Sequence, residues 1–140
     1  MSKRIDNTEC HCLKIRRSAE NVINFYDEIL SSSGVTVRQY SLLNQIAGNE
    51  GCNVRELSEL TELDRSTLSR SLKPLINTGL VYDAKAPETR DSKLFLSDEG
   101  RKVCNEAAVL WAQAQERFEK IVGAENVKLL ENLLERLQNL

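Results

Sequence analysis

Between Asn53 and Ser97 helix starts, apolar periodicity and stop signals follow one another so closely that few folds accommodate them. The segment reads NVRELSELTELDRSTLSRSLKPLINTGLVYDAKAPETRDSKLFLS. Asn53 stands three residues before Glu56, the spacing of a capping box, and Leu57 and Leu60 carry the helix on. A short break at Thr61 to Leu63 leads to Asp64, a second N-cap. Gly79 stands where a C′ glycine ends a helix in the left-handed conformation. Between these two signals Leu68, Leu72, Leu75 and Ile76 recur at helical spacing and define one buried face. Pro74 lies deep in this helix, removes an N–H, and predicts a bend or a loosening of the last turns. Leu80-Val81-Tyr82 and Lys93-Leu94-Phe95-Leu96 then read as two short strands, and the polar stretch from Asp83 to Ser92, with Pro87, reads as their connection. Two short helices followed by a hairpin make a helix-turn-helix with a wing.

The polar side of the second helix carries the chemistry. At about 100° per residue, Ser66, Arg70, Lys73 and Asn77 fall opposite the leucines, with Thr67 at the edge. Ser69 completes the candidate contact set. Short hydroxyls let a helix approach base edges, and an arginine can read guanine through a bidentate hydrogen bond. Lys73 suits a phosphate as a point charge. The hairpin tip brings Lys85, Arg90 and Lys93, and arginine in a narrow minor groove is a known mode of contact. The bland alternatives are a solvated helix face and a solvated loop. Charge placement bears on the choice: the chain holds 19 Lys+Arg against 21 Asp+Glu, yet residues 64–93 carry six basic side chains against four acidic. The local excess sits where phosphates would lie. A winged helix that binds only protein would more often expose aromatics there.

The flanks are helical and strongly apolar. A first helix is expected over residues 8–32, with Cys12, Ile15, Ala19, Val22, Tyr26 and Ile29 at spacings of three and four and with Ile23, Phe25 and Leu30 widening the stripe. Thr36 with Gln39 opens the next helix, whose core face is Leu42, Leu43, Ile46 and Ala47. Ser97 caps a long helix with Asp98 and Glu99 at its positive end, and its stripe runs Val103, Ala107, Leu110, Ala114, Phe118 and Ile121 up to Gly123. Val127, Leu130, Leu133, Leu134, Leu137 and Leu140 continue in a last helix, with Leu129 beside them. These faces exceed what a winged helix covers, so they predict a twofold dimer of interdigitated terminal helices. An intrachain helical hairpin is the alternative. The domain plan is one unit over residues 1–140, with dimerisation helices at 8–32 and 98–140 and a DNA-binding lobe at 36–97.

Other chemistries find little support. With one histidine, no glycine-rich phosphate loop and no nucleophile beside a base, an enzyme is not indicated. The chain is of single-domain length and lacks an apolar run that would span a bilayer, and Met1 to His11 is polar, which predicts a cytoplasmic protein with no membrane partner. Cys10, Cys12, Cys52 and Cys104 are dispersed, so structural disulfides are not expected. Cys10-His11-Cys12 lacks a fourth ligand for a metal, and neither metal nor cofactor is predicted.

The order of elements, together with YDEIL (Tyr26 to Leu30), VTVRQYSLL (Val35 to Leu43), VRELSELTELDRSTLSRSLKPLINTGLV (Val54 to Val81) and ETRDSKLFLSDEG (Glu88 to Gly100), resembles the MarR family of transcriptional regulators. The resemblance covers nearly the whole chain. It implies a mostly α fold, a winged helix-turn-helix with long terminal dimerisation helices. It also implies a homodimer on a pseudo-palindromic DNA operator, usually a repressor, released by a small aromatic ligand held between the dimerisation helices and the DNA-binding lobe. The family's wing carries an Asp-x-Arg element; Glu88-Thr89-Arg90 takes that place with Glu for Asp, which makes Arg90 the minor-groove residue. The branch that senses organic hydroperoxides has a reactive cysteine at the start of the first helix. Cys12, with Cys10 beside it, falls there, and Tyr26 matches one of that branch's tyrosines, while Arg16 replaces the other. Redox switching through Cys12 or Cys10 is therefore one expectation, and a small buried hydrophobe in the dimer stripe is the other.

Overall fold

A computed structural model describes residue 4, residue 6 and residues 8–140; part of the polar stretch from Met1 lies outside the described residues. In chain order the elements are α1 (His11–Leu30), a 3-10 turn (Ser31–Ser33), α2 (Val37–Gly48), α3 (Val54–Thr61), α4 (Arg65–Asn77), β1 (Val81–Asp83), β2 (Leu94–Leu96), α5 (Asp98–Val122) and α6 (Ala124–Gln138). The mostly helical architecture with one small antiparallel sheet agrees with the expected winged helix-turn-helix.

The helix boundaries follow the capping chemistry. The Thr36 side chain accepts from the Gln39 amide, and the Gln39 side chain accepts from the Thr36 amide in return. Asn53 and Glu56 make the same reciprocal pair. Each box satisfies two amides that a helix start would otherwise leave without partners. At the far end of α4, Gly79 takes φ 77°. Its amide bonds the Ile76 carbonyl and the Leu80 amide reaches back to Leu75, the Schellman pattern that closes the last carbonyls of a helix. α4 runs unbroken through Pro74, contrary to the expected loosening. The proline withholds only the bond that the Arg70 carbonyl would have received, and the neighbouring turns hold.

β1 and β2 pair antiparallel with Val81 opposite Leu96 and Asp83 opposite Leu94. Each strand begins one residue later than its periodicity suggested. Leu80 is taken up by the α4 terminus and by an amide bond from Ser97, so it cannot join the ladder. A third edge was not foreseen. The Gly51 amide donates to the Leu94 carbonyl and the Leu94 amide donates to Cys52, so the loop before α3 flanks β2.

One core joins the helix-turn-helix and its hairpin to the long helices. Leu42, Leu43, Ile46, Leu57, Leu68, Leu72, Leu75, Val81, Leu94 and Leu96 are buried, and Val103, Cys104 and Ala107 of α5 close the layer. Two ties brace it: Asp27 of α1 accepts the Val37 amide at 2.8 Å, and Glu50 pairs with Arg101 of α5 at 2.6 Å while accepting the Leu96 amide. Two expected core members lie outside. Ala47 is exposed and Ile76 is 42% exposed, each at the edge of its helix's buried face.

The terminal helices are half covered. Val22, Tyr26, Ile29 and Leu30 of α1 pack on the core, whereas Cys12, Ile15 and Ala19 of the same stripe are exposed. In α5 Val103, Ala107 and Ala114 are buried and Leu110 is half-buried, whereas Ile121 is 72% exposed. No residue of α6 is buried, and Leu129, Leu133, Leu134, Leu137 and Leu140 all stand open. The intrachain hairpin of α5 and α6 therefore does not cover this apolar surface.

Candidate nucleic-acid interface

The outer face of α4 is organised from its first residue. Asp64 accepts the Thr67 amide at 2.8 Å, the Ser66 hydroxyl at 2.8 Å and the Thr67 hydroxyl at 3.0 Å. These donors, the Thr67 amide first, hold the Asp64 carboxyl down at about 2. Ser66, Ser69, Arg70, Lys73 and Asn77 are exposed along one side while Leu68, Leu72 and Leu75 are buried on the other, and Thr67 is half-buried between them. Arg70 folds back along its own helix, with Nε toward the Ser66 carbonyl and a terminal nitrogen 3.4 Å from the Thr67 hydroxyl. The α3–α4 turn is tight: Glu62 adopts the left-handed conformation at φ 58°, and the Ser58 hydroxyl donates to the Leu63 carbonyl.

The wing is held at its base by Asp83, whose Oδ1 accepts the Lys85 amide at 3.0 Å and the Lys93 amide at 2.9 Å. Its tip turns over Ala86 to Thr89. Lys85, Arg90 and Lys93 are exposed there.

Two concavities link helix and wing. One of about 290 Å³ brings Ser69, Lys73 and Asn77 together with Asp83 and Ser92. The other, about 280 Å³, brings Arg90 together with Arg55 and Arg65. Arg55 and Arg65 were not among the residues read from the sequence, although a signal existed. Arg65 is the first residue of α4 and Arg55 the second of α3, positions where a cation opposes the helix dipole.

The cysteines divide by burial. Cys52 and Cys104 are core residues, and burial pushes both thiols up. Cys10 is the N-cap position of α1 and partly buried, and Cys12 is exposed in the first turn. Arg16 pairs with Glu20 at 3.5 Å, so its charge is engaged along the helix. No cluster of three His, Cys, Asp or Glu side chains with metal-binding geometry occurs among the described residues. Nor is any helix among them long and apolar enough to cross a membrane. Deeper in, Tyr26 of α1 bonds Gln115 of α5, and Tyr40 of α2 lies 6.4 Å from Trp111 of α5, ring centre to ring centre.

A helix-turn-helix with an exposed polar second helix, followed by a hairpin with cations at its tip, defines the winged helix-turn-helix class of DNA-binding proteins. Residues 33–90 match the MarR family. The regulator TtmR of Methylorubrum extorquens is 32% identical over 91 residues, which make up 64% of this chain and 47% of TtmR, so the chain spans about half the length of that relative. Two solved structures agree over nearly the full length. The PcaV regulator of Streptomyces coelicolor, in complex with its natural ligand, superposes with a TM-score of 0.83 at 25% identity, covering 99% of this chain and 98% of PcaV. The M. tuberculosis regulator MosR, in complex with DNA, gives 0.77 at 28% identity, covering 94% and 98%. Over residues 33–90 the chain is similar to the MarR family, and over nearly its full length it shares the fold of the transcriptional regulators PcaV and MosR.

Proposed function

We propose that two copies of the chain form a twofold dimer that reads a pseudo-palindromic operator and represses nearby genes until a small ligand releases it. The carrying observation is the division of α4 into a buried leucine face and an exposed face bearing Ser66, Ser69, Arg70 and Lys73, with Thr67 at its edge. The α4 residues enter the major groove, while Arg90 and Lys93 of the wing meet the backbone and minor groove alongside. MosR, similar over nearly its whole length, is known in complex with DNA. The exposed leucines of α6 and the open half of the α1 stripe supply an apolar surface for a second copy. A small aromatic acid suits the junction of α1, α2 and α5, where Tyr40 and Trp111 meet. PcaV, similar over the same length, holds its natural ligand.

The test is selection of duplexes from a random pool, followed by footprinting. Two protected half-sites about one helical turn apart support the reading, and Arg70→Ala should weaken binding without unfolding the protein. Undiminished affinity in both Arg70→Ala and Arg90→Ala would show that α4 and the wing are not the reading surface.

Cys12 carries a second reading, because its thiol is exposed at the start of the helix that would face the second copy. On this reading peroxide weakens operator binding, thiol restores it, and Cys12→Ser abolishes the response. A response that survives Cys12→Ser removes it.

A further inference from the structure

The cavity lined by Arg55, Arg65 and Arg90 is built from three separate elements: the first turn of α3, the first turn of α4 and the wing. Asn53, Val54, Asp91 and Ser92 complete its wall. None of the three arginines takes part in an ion pair among the described residues. All three are exposed, and the one carboxylate in the wall, Asp91, leaves a surplus of two positive charges.

Two of these arginines stand where local physics disfavours them. A cation in the first turn of a helix is repelled by the positive end of the dipole, and here two consecutive helices each place one there. Both helices already have full caps, from Asn53 with Glu56 and from Asp64, so neither arginine serves as a cap. Bringing an anion into the cavity reverses the sign of this cost: the guanidinia and the helix starts then act on it together. The wing is linked to the same place, because the Ser92 hydroxyl accepts the Val54 amide at 3.2 Å. Any anion seated there contacts both the helix-turn-helix and the hairpin.

We propose that this cavity is a phosphate seat: it takes one backbone phosphodiester of the bound duplex in each half-site and locks the wing against α3 and α4 when DNA is present. The inference rests on the DNA-reading role of α4 proposed above. A phosphodiester of the duplex fits better than a free phosphate because the cavity opens between α4 and the wing, the two elements that flank the DNA. In this arrangement Arg55 and Arg65 set the register of α4 in the groove through the backbone and carry no base preference of their own. Arg90 closes the cavity from the wing side.

The experiment measures operator affinity between about 50 and 200 mM salt for the full chain and for Arg55→Ala, Arg65→Ala and the double variant. Each single variant should lower the salt slope by less than one, since the remaining arginine still meets the phosphate, and the double variant by about one and not by two. Arg55→Lys should restore the slope, and base preference should stay as in the parent. A neutral methylphosphonate walked along the duplex should then find one position per half-site that weakens the parent and leaves the double variant unaffected. Unchanged slopes in variants that still need Arg70 overturn the seat and leave the α4 reading intact. A fall of two in the double variant overturns the shared phosphate. Inorganic phosphate that saturates the arginine Nε–H resonances of the parent, with no change of slope in the variants, assigns the cavity to a free anion instead. Failure of the parent to bind any duplex removes the α4 reading and the seat with it.

Discussion

Asp64 engages three donors at once, and this decides what the start of α4 can offer to DNA. A carboxylate only accepts, so the Ser66 and Thr67 hydroxyls must spend their protons on it. Each then presents lone pairs outward and is suited to the exocyclic amino groups of adenine or cytosine. Asp64→Ala should release both hydroxyls and change the base preferred beneath them, read by comparing selected sequences for parent and variant. The acid side is testable as well. The Asp64 carboxyl is held at about 2, below its ordinary 3.8. Its cap is therefore fully in place above 3.8 and is lost as pH falls through about 2. A carboxyl resonance titrating near 3.8 in the folded protein would contradict the three bonds. At Gly100, the added Cβ of an alanine would lie 2.0 Å from the Leu80 carbonyl oxygen. Gly100→Ala must push α5 away from the hairpin and should cost about 1–3 kcal/mol in urea denaturation; a neutral result would show that this contact yields.

The α3–α4 turn is the element that sets how α4 stands on α3. Glu62 sits at φ 58° with no glycine to ease it, a conformation that costs an L-residue about 1 kcal/mol. Glu62→Gly removes that strain but adds freedom to the unfolded chain. The net should be a gain of about 0.5 kcal/mol, checked by the midpoint of chemical unfolding. A loss would mean that the Glu62 side chain contributes contacts beyond its backbone. The wing shows how pairing overrides propensity. Leu80 has the composition of a strand residue, yet the end of α4 and the start of α5 both use its backbone, and strand pairing begins at Val81.

At the scale of the whole molecule, the unburied helices set the strongest demand. Leu133 and Leu137 of α6 are 48% and 41% exposed although they continue an unbroken apolar stripe. Leu133→Glu together with Leu137→Glu should give a monomer in sedimentation at micromolar concentration, with the helix-turn-helix still folded by circular dichroism. Operator affinity should then collapse, since one half-site supplies only part of the contact. A parent protein that sediments as a monomer would refute the dimer directly.

Much of this was legible in local chemistry. Thr36 with Gln39, Asn53 with Glu56, Asp64, Gly79 and Ser97 each mark a boundary through bonds made within a few residues, so the chain alone determined where the helices of the lobe begin and end. The periodicity of Leu68, Leu72 and Leu75 likewise named the face of α4 that packs, and with it the polar face left exposed. What needed the tertiary structure spans distance along the chain. Arg55, Arg65 and Arg90 share one cavity only because α3, α4 and the wing pack together, and no spacing in the sequence encodes that meeting. Ile76 and Ala47 obey the same period as their buried neighbours but find nothing above them. Periodicity states which side of a helix is apolar; whether that side is covered depends on a partner element that only the assembled fold supplies.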